Sequence, residues 1–287
     1  MYYLAIPHMY LAPRLSSIET LQRDRIFSGT QRLPIMVRAE DLRYYVTKVQ
    51  ATPQDYTVVR EWIGAHFLKL WGLPVPDFAI IDVQDRHVPM GLHPRLTPYE
   101  FSRPAFGSLY LDDVDHVNAT FAAASSYQAG LALASEGLVR LALFDRWLCN
   151  DDRNFNNYNL LYRGSGTAAG FIPIDHEALF SHGRPGANLT PQAANENLSQ
   201  TPLFATFVHR KRLKAYVNDA GQRSFFTASI RACADHLQTI VSAMPEEWGR
   251  LCQDLIDDCH RTIFAPSWLN RVWKDHLEQL ILSKHRS

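Results

Sequence analysis

The sequence predicts an α+β protein, and three observations lead there. Short apolar runs alternate with turn signals around one strong helix in the first half. Apolar residues recur at helical spacing over most of the second half. The 287 residues are 46% hydrophobic, which suits one large domain or two closely coupled lobes with a full core.

The charge balance sets some functions aside. Lys and Arg number 29 and so do Asp and Glu, which argues against a dominant nucleic-acid or anionic-membrane footprint. Met1 to Pro13 is apolar but lacks the basic start and cleavage segment of a signal peptide. The most apolar stretch, Leu131 to Leu148, is interrupted by Glu136, Arg140, Asp145 and Arg146, so it reads as a buried helix rather than a membrane span. Cys149, Cys233, Cys252 and Cys259 lack CxxC spacing and read as reduced thiols of a cytoplasmic protein.

Along the chain, Leu33–Ala39 and Arg43–Gln50 flank the polar turn Glu40-Asp41 and read as a β-hairpin. Tyr44, Val46 and Lys48 share one face of its second strand, and Tyr45, Thr47 and Val49 the other. A helix should then start at Thr52 as N-cap, with Pro53 in the first helical position and Asp55 as the capping-box acid. Val58, Val59, Trp62, Ile63, Phe67, Leu70 and Trp71 continue it until Gly72 and Pro74. Phe78–Val83 reads as a strand, and Pro89–Pro104 as irregular chain. Helical pattern runs from Asn118 to Cys149, dented by Gly137. Asn159–Tyr162 and Phe171–Ile174 form a second hairpin. The polar stretch His182–Leu203 is expected to be a loop, mobile or ordered only with a partner. Thr227–Lys284 fits three helices broken near Pro245 and Ala265-Pro266.

The densest polar cluster is Asn150-Asp-Asp-Arg-Asn-Phe-Asn-Asn-Tyr-Asn159, set between an apolar helix and an apolar strand. A solvated Asn/Asp turn is the plain reading of such a segment. The second hairpin, however, ends in Ile174-Asp175-His176, so a carboxylate follows the Asn/Asp loop at the end of a buried strand. Hard oxygen donors so placed suit a magnesium ion bridging to phosphates. In the first half, Lys48 on a strand and Glu61 on a helix lie thirteen residues apart. A strand lysine held by a helix glutamate is the arrangement that positions ATP phosphates in kinases. Cys252, Cys259 and His260 could share a helix side but fall short of the ligand set zinc needs.

In order, the chain has Ser28-Gly29-Thr30, Lys48, Glu61, the Asp-Arg loop with its asparagines, and Asp175. This set resembles the HipA-like kinases, relatives of the protein-kinase and phosphatidylinositol-kinase fold. Asn150-Asp-Asp152-Arg153-Asn154 is similar to their Asn-x-Asp-Arg-His loop, with Asn at position 154 where the family often has His. Ile174-Asp175-His176 is similar to their metal-binding strand end, and Leu73-Pro74-Val75-Pro76 to the helix-to-strand passage of the short members. The resemblance implies a bilobal protein-kinase-like fold, with a small β-rich N-lobe over 1–115 covering ATP and a larger helical C-lobe over 116–287. It implies ATP and Mg2+ as cofactors and a cytoplasmic kinase, most simply of protein Ser or Thr. Gly29, Thr30, Lys48 and Glu61 would bind the nucleotide phosphates, and Asp152 would be the catalytic base. Arg153 would support that loop, and Asp175 would hold the metal. Asn157 lies five residues beyond Asp152, the kinase spacing for a metal asparagine, while Asn159 precedes an apolar pair as such asparagines also do. Both stay candidates. A protein substrate is expected, an antitoxin-like partner is compatible, and neither direct nucleic-acid binding nor membrane attachment is. The rival readings are a small-molecule or phosphatidylinositol-type kinase and a non-catalytic nucleotide- or partner-binding module on a kinase fold.

Overall fold

The computed structural model describes residues 10–27, 32–52, 54–124, 131–164, 169–187, 189–249 and 252–283. The first half builds a five-stranded mixed sheet. Its strands are β1 (Arg14–Ser16), β2 (Ile35–Arg38), β3 (Tyr44–Lys48), β4 (Phe78–Asp82) and β5 (Ala105–Leu109), in spatial order β1-β4-β5-β3-β2. The hairpin read from the sequence is present: β2 and β3 pair antiparallel with Ile35 opposite Thr47 and Arg38 opposite Tyr44. Alternation then sorts the side chains of β3. Tyr45 and Thr47 face a core with Ile35, Val37 and Ala79, while Val46 and Lys48 face a cleft. β1 and β5 carry no long apolar run and are not anticipated by the hydropathy pattern.

Between β3 and β4 lies helix α1 (Thr57–Leu70), in which only Lys69 escapes burial. It starts four residues later than a Thr52 cap would place it. The Asp55 carboxylate accepts from the Thr57 N–H at 3.0 Å, its hydroxyl at 2.7 Å and Arg32 at 2.6 Å. Asp55 therefore closes a turn before the helix instead of sitting inside its first turn. Pro53 lies outside the described residues.

The second half is helical apart from a small antiparallel sheet. That sheet has the order β6-β7-β8, from β6 (Asp115–His116), β7 (Leu160–Arg163) and β8 (Gly170–Pro173). Helices α2 (Ala119–Ala124) and α3 (Leu131–Trp147) occupy the predicted helical stretch, with 125–130 between them outside the described residues. Further on come α4 (Pro202–Phe207), α5 (Arg210–Asn218), α6 (Ala220–Ser242), α7 (Cys252–Arg261) and α8 (Pro266–Ser283), with breaks at Pro245 and Ala265 as read.

One core joins α1 to this helical half. Trp147 of α3 stacks on Phe67 and Trp71, at centroid distances of 5.4 and 5.6 Å, and its indole N–H donates to Ile263 O at 2.8 Å. Trp62 donates to Ile240 O on α6 at 2.9 Å, and Trp248 to Pro104 O at 2.7 Å. Trp62, Trp147 and Trp248 each bury the ring and still satisfy the donor. Helix α1 is thereby fixed from the sheet on one side and from α3 and α6 on the other.

The stretch 182–203 is not the loose loop expected. Asn197 is fully buried, donates to Gln192 Oε1 at 2.8 Å, and accepts from the Ser199 N–H at 2.9 Å. Gln192 bonds the Asn150 carbonyl. Gly186, at φ +76°, runs so close to α7 that a Cβ there would lie 2.5 Å from the Cys259 nitrogen. Buried amides and a glycine pressed against a helix backbone do what apolar side chains do elsewhere, and polar composition conceals them.

Candidate active site

The site begins at the end of β3. Strand β3 is an interior strand, flanked by β2 and β5, and Lys48 pairs opposite Phe106. Its ammonium reaches Glu61 Oε1 and Asp175 Oδ1, both at 2.6 Å, and Glu177 Oε2 at 3.4 Å. Lys48 is 8% exposed and Glu61 2%. Burial alone would depress the Lys48 pKa, but the attraction of Glu61, then of Asp175 and Glu177, outweighs it and holds the ammonium above its ordinary value. Burial pushes the Glu61 carboxyl up, and Lys48 only partly offsets this. For Asp175 the balance is reversed: burial raises it, Lys48 lowers it, and the net direction is down. The structure thus joins the predicted Lys48–Glu61 pair to the predicted Asp175. Glu177 was not foreseen, although Asp175-His-Glu177 carries two carboxylates at alternate positions, and that was the available signal.

The polar loop following α3 forms the second part. Arg153 is fully buried and bonds both Asp145 and the Ile174 carbonyl, the latter at 3.0 Å. Asp145 also accepts from Asn150 Nδ2 at 2.9 Å. Burial pushes the Asp145 carboxyl up to about 6 despite Arg153 and Asn150. Arg153 therefore ties the loop to the β8 end from inside the core. Asp152 points the other way: its Oδ2 accepts from Asn157 Nδ2 at 2.9 Å and Asn159 Nδ2 at 2.7 Å. The three predicted residues are together. Asn157 is exposed, whereas Asn159 is half-buried and lines the same cleft as Lys48 and Asp175.

Backbone geometry brings the two parts together. Asn159 and Asp175 both adopt left-handed conformations, at φ 46° and 57°, and the Ile174 N–H donates to Asn159 O at 3.0 Å. Asn and Asp tolerate this region better than other non-glycine residues. The turns it creates end strand β8 and start β7 at the same edge, so the loop and the strand end face one cleft.

That cleft has a volume of about 240 Å³ and lies between the five-stranded sheet and β7–β8. Its walls are apolar, with Val46 and Phe106 on one side and Leu161 and Ile174 on the other, and Lys48, Glu61 and Asp175 stand at its polar end. Phe27 and Pro34 also line it, and the Phe27 N–H donates to Pro34 O at 2.8 Å. Gly29 and Thr30, the predicted phosphate-loop residues, lie outside the described residues between these two anchors.

The carboxylates around the Lys48 ammonium also offer donors of a kind that divalent ions take. One oxygen each of Glu61, Asp175 and Glu177 lies within 4.8 Å of the others, a hard-oxygen set of the kind magnesium takes. The cysteine alternative finds no such support. Cys259 is buried with its thiol pushed up to about 12 by burial, and it joins no group of metal-ligating residues among those described. No described helix is long and apolar enough to cross a membrane.

Among solved structures, the chain aligns with the Helicobacter pylori proinflammatory kinase CtkA at 11% identity and TM-score 0.49. The match covers 95% of this chain and 98% of that one. The FAT and kinase domain of CtTel1 aligns at 12% identity and TM-score 0.28, over 90% of this chain and 20% of that one. No curated protein sequence matches. The sequence profile described as HipA-like kinase matches residues 20–278, nearly the whole chain, and the protein belongs to that family, with its bilobal α+β kinase fold.

Proposed function

We propose that this kinase transfers the γ-phosphoryl group of ATP, with magnesium, to a Ser or Thr hydroxyl of a protein. The observation that carries the reading is the convergence, on one apolar cleft, of Lys48, held by Glu61 and Asp175 at 2.6 Å, with Asn159, whose amide donates to Asp152 just behind it. A planar base fits between the apolar walls, and the phosphates then run towards Lys48. We assign residues 1–115 to the lobe that covers the nucleotide and 116–287 to the lobe that carries the catalytic loop.

The residue roles follow from position. Lys48 attracts the phosphate oxygens, and Glu61 keeps its ammonium aimed at them. Asp175, with Asn159 or Asn157, would hold the divalent ion, which when bound neutralises charge on the phosphates. Asp152 accepts the proton of the acceptor hydroxyl, its carboxylate oriented by the two asparagine amides. Arg153 stays buried and keeps the loop registered to β8. Such a site works by positioning and electrostatics, with no covalent intermediate.

The test combines transfer and binding. Asp152→Ala should lose about 10²-fold or more of phosphoryl transfer while still being stabilised thermally by Mg-ATP. Asp175→Ala should lose that stabilisation as well. Mass spectrometry of phosphoproteins formed in a lysate, beside a phosphoinositide assay, separates protein from lipid acceptors. A fully active Asp152→Ala variant would remove the loop from catalysis, and phosphorylated lipid without phosphoprotein would replace the substrate class.

A further inference from the structure

We propose that Arg60 is a positioning residue for the metal–nucleotide complex: it clamps the chain leaving Asp175 to helix α1 and so sets where Asp175 and Glu177 stand relative to Lys48. The inference rests on the proposed roles of Lys48 and Asp175 and adds a residue that neither sequence spacing nor family resemblance singled out.

Arg60 is 4% exposed, directly before Glu61 on α1. Its donors go to backbone carbonyls. Nε bonds Glu177 O at 2.5 Å, and Nη1 bonds His182 O at 2.9 Å and Gly183 O at 3.0 Å. Nη2 reaches back to Thr57 Oγ1 at 3.3 Å. A buried guanidinium is expensive unless its donors are used, and all but the Thr57 bond are spent on the segment from Glu177 to Gly183.

That segment needs holding. Phe180, Ser181 and His182 are three consecutive non-glycine residues in the left-handed region, at φ 58°, 54° and 60°. Each is unfavourable alone, and such runs persist only where the surroundings over-determine them. From one side, the Phe180 N–H donates to Leu148 O at 2.7 Å and the Ser181 N–H to Cys149 O at 3.3 Å, at the root of the Asp152 loop. From the other side comes Arg60. One turn further along α1, Gly64 makes a close approach to the same chain. A Cβ there would lie 2.6 Å from Leu179 Cδ1 and 2.9 Å from His176 Cβ. Residues four apart on a helix share a face, so Arg60 and Gly64 hold the segment on either side of Glu61.

The consequence is a mechanical link. Glu61 fixes Lys48, and its neighbour Arg60 fixes Glu177 and the turn beyond. With Arg60 lost, the left-handed run can relax, and the Glu177 and Asp175 carboxylates shift away from the ammonium. A residue that only stabilised the fold would lower the unfolding midpoint and leave the affinity of folded molecules unchanged.

The experiment compares wild type, Arg60→Met and Arg60→Lys as full-length chains. It reads calorimetric binding of Mn2+ with a non-hydrolysable ATP analogue, urea midpoints, and the KM for ATP against the KM for the acceptor. Arg60→Met should weaken metal–nucleotide binding about tenfold with acceptor KM unchanged, and Arg60→Lys should fall between it and wild type. Should Arg60→Met not fold, Arg60→Ala is read with and without millimolar guanidinium, which should restore binding. Folded Arg60 variants that bind within twofold of wild type would overturn the proposal while leaving the functional reading intact. Failure of the wild type to bind the metal–nucleotide would overturn both.

Discussion

Replacing Lys48 by Met should destabilise the protein in a way that depends on pH. The ammonium lies 2.6 Å from both Glu61 and Asp175 and 3.4 Å from Glu177. At an effective dielectric of about 20, a pair 2.6 Å apart gains about 6 kcal/mol before desolvation is counted. Deleting one partner of a buried pair costs roughly 3–5 kcal/mol, since the other charge is left uncompensated. The folded chain has an escape, because Glu61 can take up a proton. Neutralising a carboxyl of ordinary pKa near 4.3 costs about 4 kcal/mol at pH 7.5 and about 1 kcal/mol at pH 5. In the variant the Glu61 pKa is raised further than in wild type, where burial already pushes it up against the pull of Lys48. A raised carboxyl gives stability that is present at low pH and lost as pH climbs through the raised value. Urea unfolding should therefore show a loss of about 3–4 kcal/mol at pH 7.5 that shrinks to about 1 kcal/mol at pH 5. In Lys48→Met/Glu61→Gln the pH dependence should vanish and most of the stability should return. A Lys48→Met variant as stable as wild type at pH 7.5, or one whose loss does not change with pH, would refute this ion cluster.

Two further outcomes are expected. Gly186→Ala should cost roughly 2–4 kcal/mol, read as a urea midpoint shift, since it adds left-handed strain to a Cβ pressed against the α7 backbone; an unchanged midpoint would show that 182–203 is not packed there. His66 donates from Nδ1 to Trp62 O at 2.9 Å, and burial lowers its pKa to about 4. Unfolding lets it bind a proton that the folded chain refuses, so its contribution is present above about pH 6.5 and is lost as pH falls towards 4. Between pH 7.5 and 5 this amounts to roughly 2 kcal/mol, which His66→Asn should remove from the pH dependence of unfolding.

The parts of the fold legible in the sequence were those with local periodicity. The β2–β3 hairpin, α1, β7–β8 and the breaks at Pro245 and Ala265 all carry alternation, helical spacing or a proline. β1 is three residues long and β6 two, too short for a period to register. The start of α1 was misplaced because Thr52-Pro53 has good capping chemistry, while Asp55 is committed to Arg32, a partner far away in sequence. The stretch 182–203 misled for a different reason. Polar residues read as solvated, but Gln192 and Asn197 are buried and paired with each other. Nothing in a lone sequence distinguishes a buried satisfied amide from an exposed one.

The site divides along the same line. Residues that spacing within one segment groups together were legible as a group: Asp152 with Asn157 and Asn159, which the fold keeps bonded, and Asp175 at a strand end. Lys48 and Glu61 were legible as a pair because strand and helix each present a charged residue towards the same place, thirteen residues apart. Residues that act through tertiary contacts were not. Arg60 looks like one more charge on a helix, and Glu177 like one more acid after a strand. Yet Arg60 reaches the carbonyls of residues 177, 182 and 183, more than a hundred positions away, and Glu177 closes the carboxylate set around Lys48. The backbone supplies what the spacing lacks. Left-handed conformations gather at Cys149, Asn159, Asp175 and 180–182, all on the loop and strand end that face the cleft or directly behind them. Each is a local cost that some neighbour must offset. Following those costs to the groups that meet them leads from the Asp152 loop, through Leu148 O and Cys149 O, to Arg60 and back to Lys48. The charges gathered at the cleft are legible one at a time, whereas the framework that holds them in register is a property of the closed fold.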